Sequence, residues 1–159
     1  MLASLGASCE VIPVSSRRIA SLIGFIMMVA AMVLLLTERQ LIAESRAGCA
    51  AQVAAALLMI WARTTFGRRS FHPAANPTEG ELVTDGPYRF LRHPIYAAIL
   101  LFVFAALIDR RSLITVAAFA ITLAGALLRI LAEERLLRAR YPEYAGYAQR
   151  TKRLAPFIY

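Results

Sequence analysis

The chain has 159 residues, a length that fits one domain. Hydrophobic residues make up 59%, mean hydropathy is +0.59, and the formal charge is +8, carried by Arg apart from Lys152. Apolar blocks fenced by Arg argue against a soluble domain and for an integral membrane protein, and they make the basic charge a positive-inside signal, not a nucleic-acid footprint.

Met1 to Ser16 matches no signal peptide, and Cys9 lacks the preceding basic segment of a lipoprotein cleavage site, so a loose tail or surface helix is expected. Residues 17–62 read as two spans. Ile19 to Leu36 is free of charge and long enough for a hydrocarbon core of about 30 Å. Ala47 to Ala62 is interrupted only by Gln52, and Cys49 within it reads as a small core residue. Gly24, Ala30, Ala31, Ala54, Ala55 and Ala56 favour close helix packing, so this half is expected to be scaffold. Residues 63–93, with Pro73, Pro77, Gly80, Gly86 and Pro87, are too irregular for a long helix and too polar for the bilayer; they read as a cytosolic connecting segment.

Residues 94–131 form the next unit. Pro94 to Ile108 and Ser112 to Leu128 are joined only by Asp109-Arg110-Arg111, which predicts a tight helical hairpin. The last three apolar runs are slightly short, and flanking helical residues with snorkelling Arg supply the missing turns. In the cytosolic region 132–159 the fourth helix runs on through Arg138 until Pro142 breaks it. Glu143 to Arg150 restarts a helix carrying Tyr144 and Tyr147, three and six residues after Tyr141, and Lys152, Arg153, Pro156 and Phe157 close the chain as a basic, aromatic surface tail. With both ends cytosolic, 14 of the 18 Lys and Arg lie inside. The expected fold is an all-α membrane bundle of about four transmembrane helices, forming one domain with the candidate site facing the cytosol.

The polar chemistry is concentrated at two places. Gly86-Pro87-Tyr88-Arg89-Phe90-Leu91-Arg92-His93-Pro94-Ile95-Tyr96 leads into the third span. Pro94 suits the first turn of a helix, which puts Arg92 and His93 at an N-terminus whose dipole favours anions. Arg129 and Glu133 are four apart on one helix face, and the hairpin returns them to the side where His93 lies. The two clusters are therefore expected to meet. The neighbouring Glu134 points to a different face, so one carboxylate is expected in the site and the other in solvent. His72 and His93 are the only His, so no metal-ligand set of known spacing is present, and neither is a G-x-S-x-G elbow nor a Gly-rich phosphate loop.

From Leu82 onward the chain resembles the isoprenylcysteine carboxyl methyltransferase and phospholipid methyltransferase group of membrane enzymes. The resemblance rests on Leu82-Val83-Thr84-Asp85-Gly86-Pro87-Tyr88, Arg92-His93-Pro94-Ile95-Tyr96, Arg129-x-x-x-Glu133-Glu134-x-x-Leu137, Tyr141-Pro142-Glu143-Tyr144-x-x-Tyr147 and Arg153-x-x-Pro156. It implies use of S-adenosyl-L-methionine. Leu82, Val83, Tyr88, His93, Pro94, Tyr96, Glu133 and Glu134 are the implied cofactor-binding residues; Arg129 and Arg92 are the implied catalytic ones, with Arg129 toward a lipophilic or prenylated acceptor. A carboxylate suits the cofactor's ammonium end, Tyr faces suit its sulfonium, and an Arg fork suits an anionic acceptor. Gly80 stands where the eukaryotic carboxyl methyltransferases tend to have His, and Ala98 replaces a common Gly. Two other classes share parts of the pattern: an NADPH-dependent membrane reductase of the sterol-reductase type, and a non-catalytic membrane partner protein.

Overall fold

Each apolar run becomes a helix, because a backbone in hydrocarbon has to pair its own N–H and C=O groups. The computed structural model describes residues 14–67 and 82–155, with side chains from residue 18 onward. Expectations placed on Cys9, His72, Pro73, Pro77, Gly80, Pro156 and Phe157 lie outside the described residues. The elements are α1 (Val14–Thr37), α2 (Arg46–Phe66), a 3-10 helix (Gly86–Arg89), α3 (Pro94–Arg110), α4 (Leu113–Arg140) and α5 (Tyr144–Arg150). There is no strand among the described residues, only an isolated parallel bridge between Leu91 and Lys152. α1 from Arg18, α2 and α4 are long and apolar enough to cross a bilayer.

Helix boundaries depart from the sequence expectation in three places. α1 starts at Val14, within the expected tail, and α2 continues to Phe66, inside the segment expected to be irregular. α2 and α4 gain the flanking turns they were expected to need, whereas α3 stays at 17 residues. At 1.5 Å per residue that is about 25 Å, short of a full hydrocarbon core. α3 is stopped at both ends: Pro94 occupies its first turn, and Arg111, in the left-handed region at φ 50°, caps its C-terminus.

The helices pair as α1 with α4 and α2 with α3, and α3 with α4 joins the two pairs. At the end opposite the chain's C-terminal segment, the α3–α4 turn docks on the α1–α2 loop. Asp109 accepts from the Glu44 and Ser45 backbone N–H groups at 2.6 and 3.1 Å, and Arg110 pairs with Glu44 at 2.9 Å. Gln52 is a buried tie: its amide nitrogen donates to the Leu41 carbonyl at 2.8 Å, and its oxygen accepts from Ala43 N–H at 3.0 Å. Cys49 is exposed, contrary to the core role expected for it, and its thiol donates to the Ala43 carbonyl.

Small residues permit the α1–α4 contact, as expected for Gly24 and Ala31, which are buried, while Ala30, Ala54 and Ala56 face outward. Gly24 crosses Gly125 so closely that a Cβ on Gly24 would sit 2.5 Å from the Gly125 carbonyl oxygen and 2.9 Å from Arg129 Cγ. Gly24→Ala is therefore expected to push α1 off α4 and to destabilise the bundle by about 1–3 kcal/mol, the usual cost of overpacking. Thermal unfolding in detergent checks this; a wild-type midpoint would show that the helices separate at no cost.

Candidate active site

The α3–α4 hairpin brings the two polar clusters together, and α1 and the C-terminal segment close around them. His93 is the N-cap of α3, with its side chain free of any capping bond. Its ring faces both carboxylates: Nδ1 lies 3.8 Å from Glu133 Oε2 and Nε2 lies 3.5 Å from Glu134 Oε1. Tyr96, one turn further along, donates its hydroxyl hydrogen to Glu133 Oε1 and receives a hydrogen bond from Arg129 Nε at 2.7 Å. Arg129 also reaches Glu133 Oε1 through Nη2 at 3.3 Å and the Ser21 carbonyl of α1 through Nη1 at 3.3 Å. Its guanidinium lies 5.4 Å from the Phe25 ring centre and 5.7 Å from that of Tyr96.

Glu134 is the more buried carboxylate, with its side chain 4% exposed against 22% for Glu133. The expectation that one of the pair would stay in solvent fails here, because the C-terminal segment folds over that face of α4. Arg153 makes a two-point contact with Glu134 (3.1 and 3.0 Å), Arg92 approaches it at 3.4 Å and Arg138 at 3.7 Å. The segment is held by backbone as well: Lys152 N–H donates to the Phe90 carbonyl, Arg92 N–H to the Lys152 carbonyl and His93 N–H to the Arg153 carbonyl. Arg153 is thus a half-buried partner of the cluster and not part of a surface tail.

The tyrosines set the neighbouring wall. Tyr88 is buried in the 3-10 helix and packs on Phe66 at 5.4 Å between ring centres. Tyr147 donates its hydroxyl hydrogen to the Tyr88 carbonyl at 2.7 Å, and the Tyr144 ring lies beside it. Burial pushes the Tyr88 and Tyr147 phenols well above their ordinary value, and burial followed by the Glu134 charge pushes Tyr144 up to about 12. All three stay protonated at neutral pH and none is a base. Pro94 is buried at the first turn of α3, and Leu82 and Val83 are half-buried in the extended segment before the 3-10 helix.

Ser21, Phe25 and Arg153 were not expected in the site. Ser21 contributes a backbone carbonyl, which no side-chain pattern signals, and Phe25 is one of many apolar residues in its helix. Arg153 did carry a signal, since it closes the motif series quoted above. Among the described residues, three buried polar atoms here lack a hydrogen-bond partner: Arg92 Nε, the Tyr144 hydroxyl, and His93 Nε2, which faces Glu134 Oε1 at 3.5 Å. Among the described residues, no three His, Cys, Asp or Glu side chains gather as a metal site.

Behind the cluster, on the α2 side of α3, lies an apolar groove of about 550 Å³ whose walls include Trp61, Phe90, Ala97, Leu101 and Phe104. Leu100 and Leu154 line the groove on one side and pack against the core around Tyr96 on the other.

Residues 45–144 match the family described as phospholipid methyltransferase. A relative, the cobalt-zinc-cadmium resistance protein CzcN of Cupriavidus metallidurans, is 38% identical over 78 residues, covering 47% of this chain and 35% of that protein. The similarity thus spans about a third of the relative's length. No solved structure matches the chain.

Proposed function

The chain belongs to the phospholipid methyltransferase family, and we propose that it transfers a methyl group from S-adenosyl-L-methionine to a lipophilic acceptor, with an isoprenylcysteine-type carboxylate as the substrate class. The observation that carries this reading is Glu133, a partly exposed carboxylate at the meeting point of His93, Tyr96 and Arg129. The donor set fits the cofactor. Glu133 would hold its ammonium end, and the Arg92 Nε hydrogen, left over inside the protein, suits its carboxylate. The Tyr88 and Tyr96 rings suit its sulfonium, with Leu82, Val83 and Pro94 as apolar surroundings. When bound, S-adenosylmethionine supplies an electrophilic methyl group.

The protein's own part is to orient and to exclude water. A carboxylate acceptor needs no general base, which agrees with tyrosines that stay protonated. The charge pattern supports a multi-pass topology in a cytoplasmic or inner membrane, with the site on the cytosolic side and the acceptor arriving from the bilayer. Membrane lipids are then its surroundings, and nucleic acid has no part. S-adenosylhomocysteine is expected to raise the melting temperature of the purified protein in detergent, since a ligand that binds only the folded state stabilises it. Stabilisation by NADPH in its place would support a reductase, and stabilisation by neither would support a non-catalytic partner.

The groove supports a long apolar acceptor. Ala97→Phe is expected to fill part of it and leave the carboxylate cluster intact. Each methylene kept out of an apolar site forfeits about 0.8 kcal/mol, so excluding two of them weakens the acceptor by more than about tenfold. The check is methyl transfer to prenylated carboxylates of increasing chain length, beside S-adenosylhomocysteine binding. Equal rates for variant and wild type at every length would remove the groove from the acceptor site.

A further inference from the structure

We propose that Arg129 is a positioning residue, which together with Tyr96 fixes one oxygen of Glu133 so that the other is presented to the ammonium end of the cofactor. The proposal rests on the methyltransferase reading above and assigns Arg129 a different role from the acceptor clamp implied by family resemblance.

The guanidinium is engaged within the protein in three directions. Nε donates to the Tyr96 hydroxyl at 2.7 Å, Nη1 to the Ser21 carbonyl at 3.3 Å and Nη2 to Glu133 Oε1 at 3.3 Å. The three partners come from α3, α1 and α4, so the planar fork of one side chain joins three helices at a point. Phe25 and Tyr96 lie against it, and its side chain is only 6% exposed. A two-point grip on an incoming anion would require breaking contacts already made in a water-poor interior.

Glu133 is treated asymmetrically. Oε1 takes both the Tyr96 hydroxyl hydrogen and Arg129 Nη2. Oε2 has His93 Nδ1 at 3.8 Å, beyond hydrogen-bond reach, and the side chain remains 22% exposed. A carboxylate pinned through one oxygen keeps its second oxygen in a fixed direction, and a cationic ligand then binds without ordering the side chain first.

The experiment compares two ligands. S-adenosylhomocysteine carries the amino-acid end and 5′-methylthioadenosine lacks it. Calorimetry in detergent, at a temperature where each variant is folded, measures both affinities for wild type, Arg129→Gln, Arg129→Lys, Tyr96→Phe and the Arg129→Gln/Tyr96→Phe pair. Arg129→Gln and Tyr96→Phe are each expected to weaken S-adenosylhomocysteine by roughly tenfold or more, with Arg129→Lys between them and wild type. The affinity for 5′-methylthioadenosine is expected to stay within about twofold, and the double variant to be no weaker than the worse single one, because both act through the same oxygen. If Arg129→Gln does not fold, Arg129→Lys and the near-isosteric Tyr96→Phe make the same comparison. Equal weakening of both ligands, or unchanged S-adenosylhomocysteine affinity, would overturn the positioning role alone. A wild-type protein that binds neither ligand would overturn the methyltransferase reading itself, and the role with it.

Discussion

Glu134→Ala is expected to destabilise the protein more than any other single change at the site. The carboxylate is enclosed by Arg153, Arg92, His93 and, at its outer edge, Arg138. Arg138 is 59% exposed and contributes little. Arg92 and His93 are largely buried and Arg153 is 23% exposed; without Glu134 the two Arg lose the carboxylate that pairs them, while His93 keeps Glu133 Oε2 at 3.8 Å. Breaking a buried ion pair from one side costs about 3–5 kcal/mol, because the orphaned charge stays out of water. The cost is compounded by the backbone bonds that tie residues 152 and 153 to residues 90–93, since the segment that Arg153 anchors also supports the start of α3. The melting temperature in detergent is expected to fall by roughly 10 °C or more, with the C-terminal segment becoming open to proteolysis. Family resemblance would make Glu134 a cofactor ligand. In that case Glu134→Ala would keep nearly the wild-type melting temperature and lose S-adenosylhomocysteine binding, which would refute the anchoring role.

Glu133→Gln is expected to show the opposite pattern. The amide keeps the shape of the side chain and an oxygen for Tyr96 and Arg129, whose fork is also held by Ser21. The fold is therefore expected to survive, with a smaller fall in melting temperature than for Glu134→Ala, since Arg129 loses its counter-charge but keeps an amide oxygen and the Ser21 carbonyl. The negative charge is lost, and a hydrogen bond to a charged group in a site of low dielectric is worth about 1.5–3 kcal/mol. S-adenosylhomocysteine affinity should fall by about ten- to a hundredfold. Titration calorimetry on the folded variant reads it directly. Wild-type affinity in that variant would remove Glu133 from the cofactor site. The two adjacent carboxylates thus separate by readout, Glu134 in stability and Glu133 in binding.

Much of the architecture was legible along the chain. Apolar runs of membrane length, punctuated by Arg, can satisfy their backbone only as helices. The break at Pro142 followed from the missing N–H, and the helix start at Pro94 from its fixed φ. The meeting of His93 and Tyr96 with Arg129 and Glu133 also followed, because a short turn forces the hairpin to return and a spacing of four keeps Arg129 and Glu133 on one face. These are local rules, set by periodicity, charge and covalent restraint within a few turns of helix.

What local rules could not reach was decided by packing. α1 lies on α4 because Gly24 meets Gly125 across a hundred residues of chain, and that contact delivers the Ser21 carbonyl and the Phe25 ring to Arg129. Spacing put Glu133 and Glu134 on different faces of the helix but did not say that both would be enclosed, or which more deeply. They differ because the C-terminal segment covers one and leaves the other partly open, and burial with counter-charges is a property of the assembled fold. The same holds for Arg129. Its position on the helix face was plain from spacing, but the partners of its three nitrogens come from three helices that only the tertiary structure brings within hydrogen-bond distance.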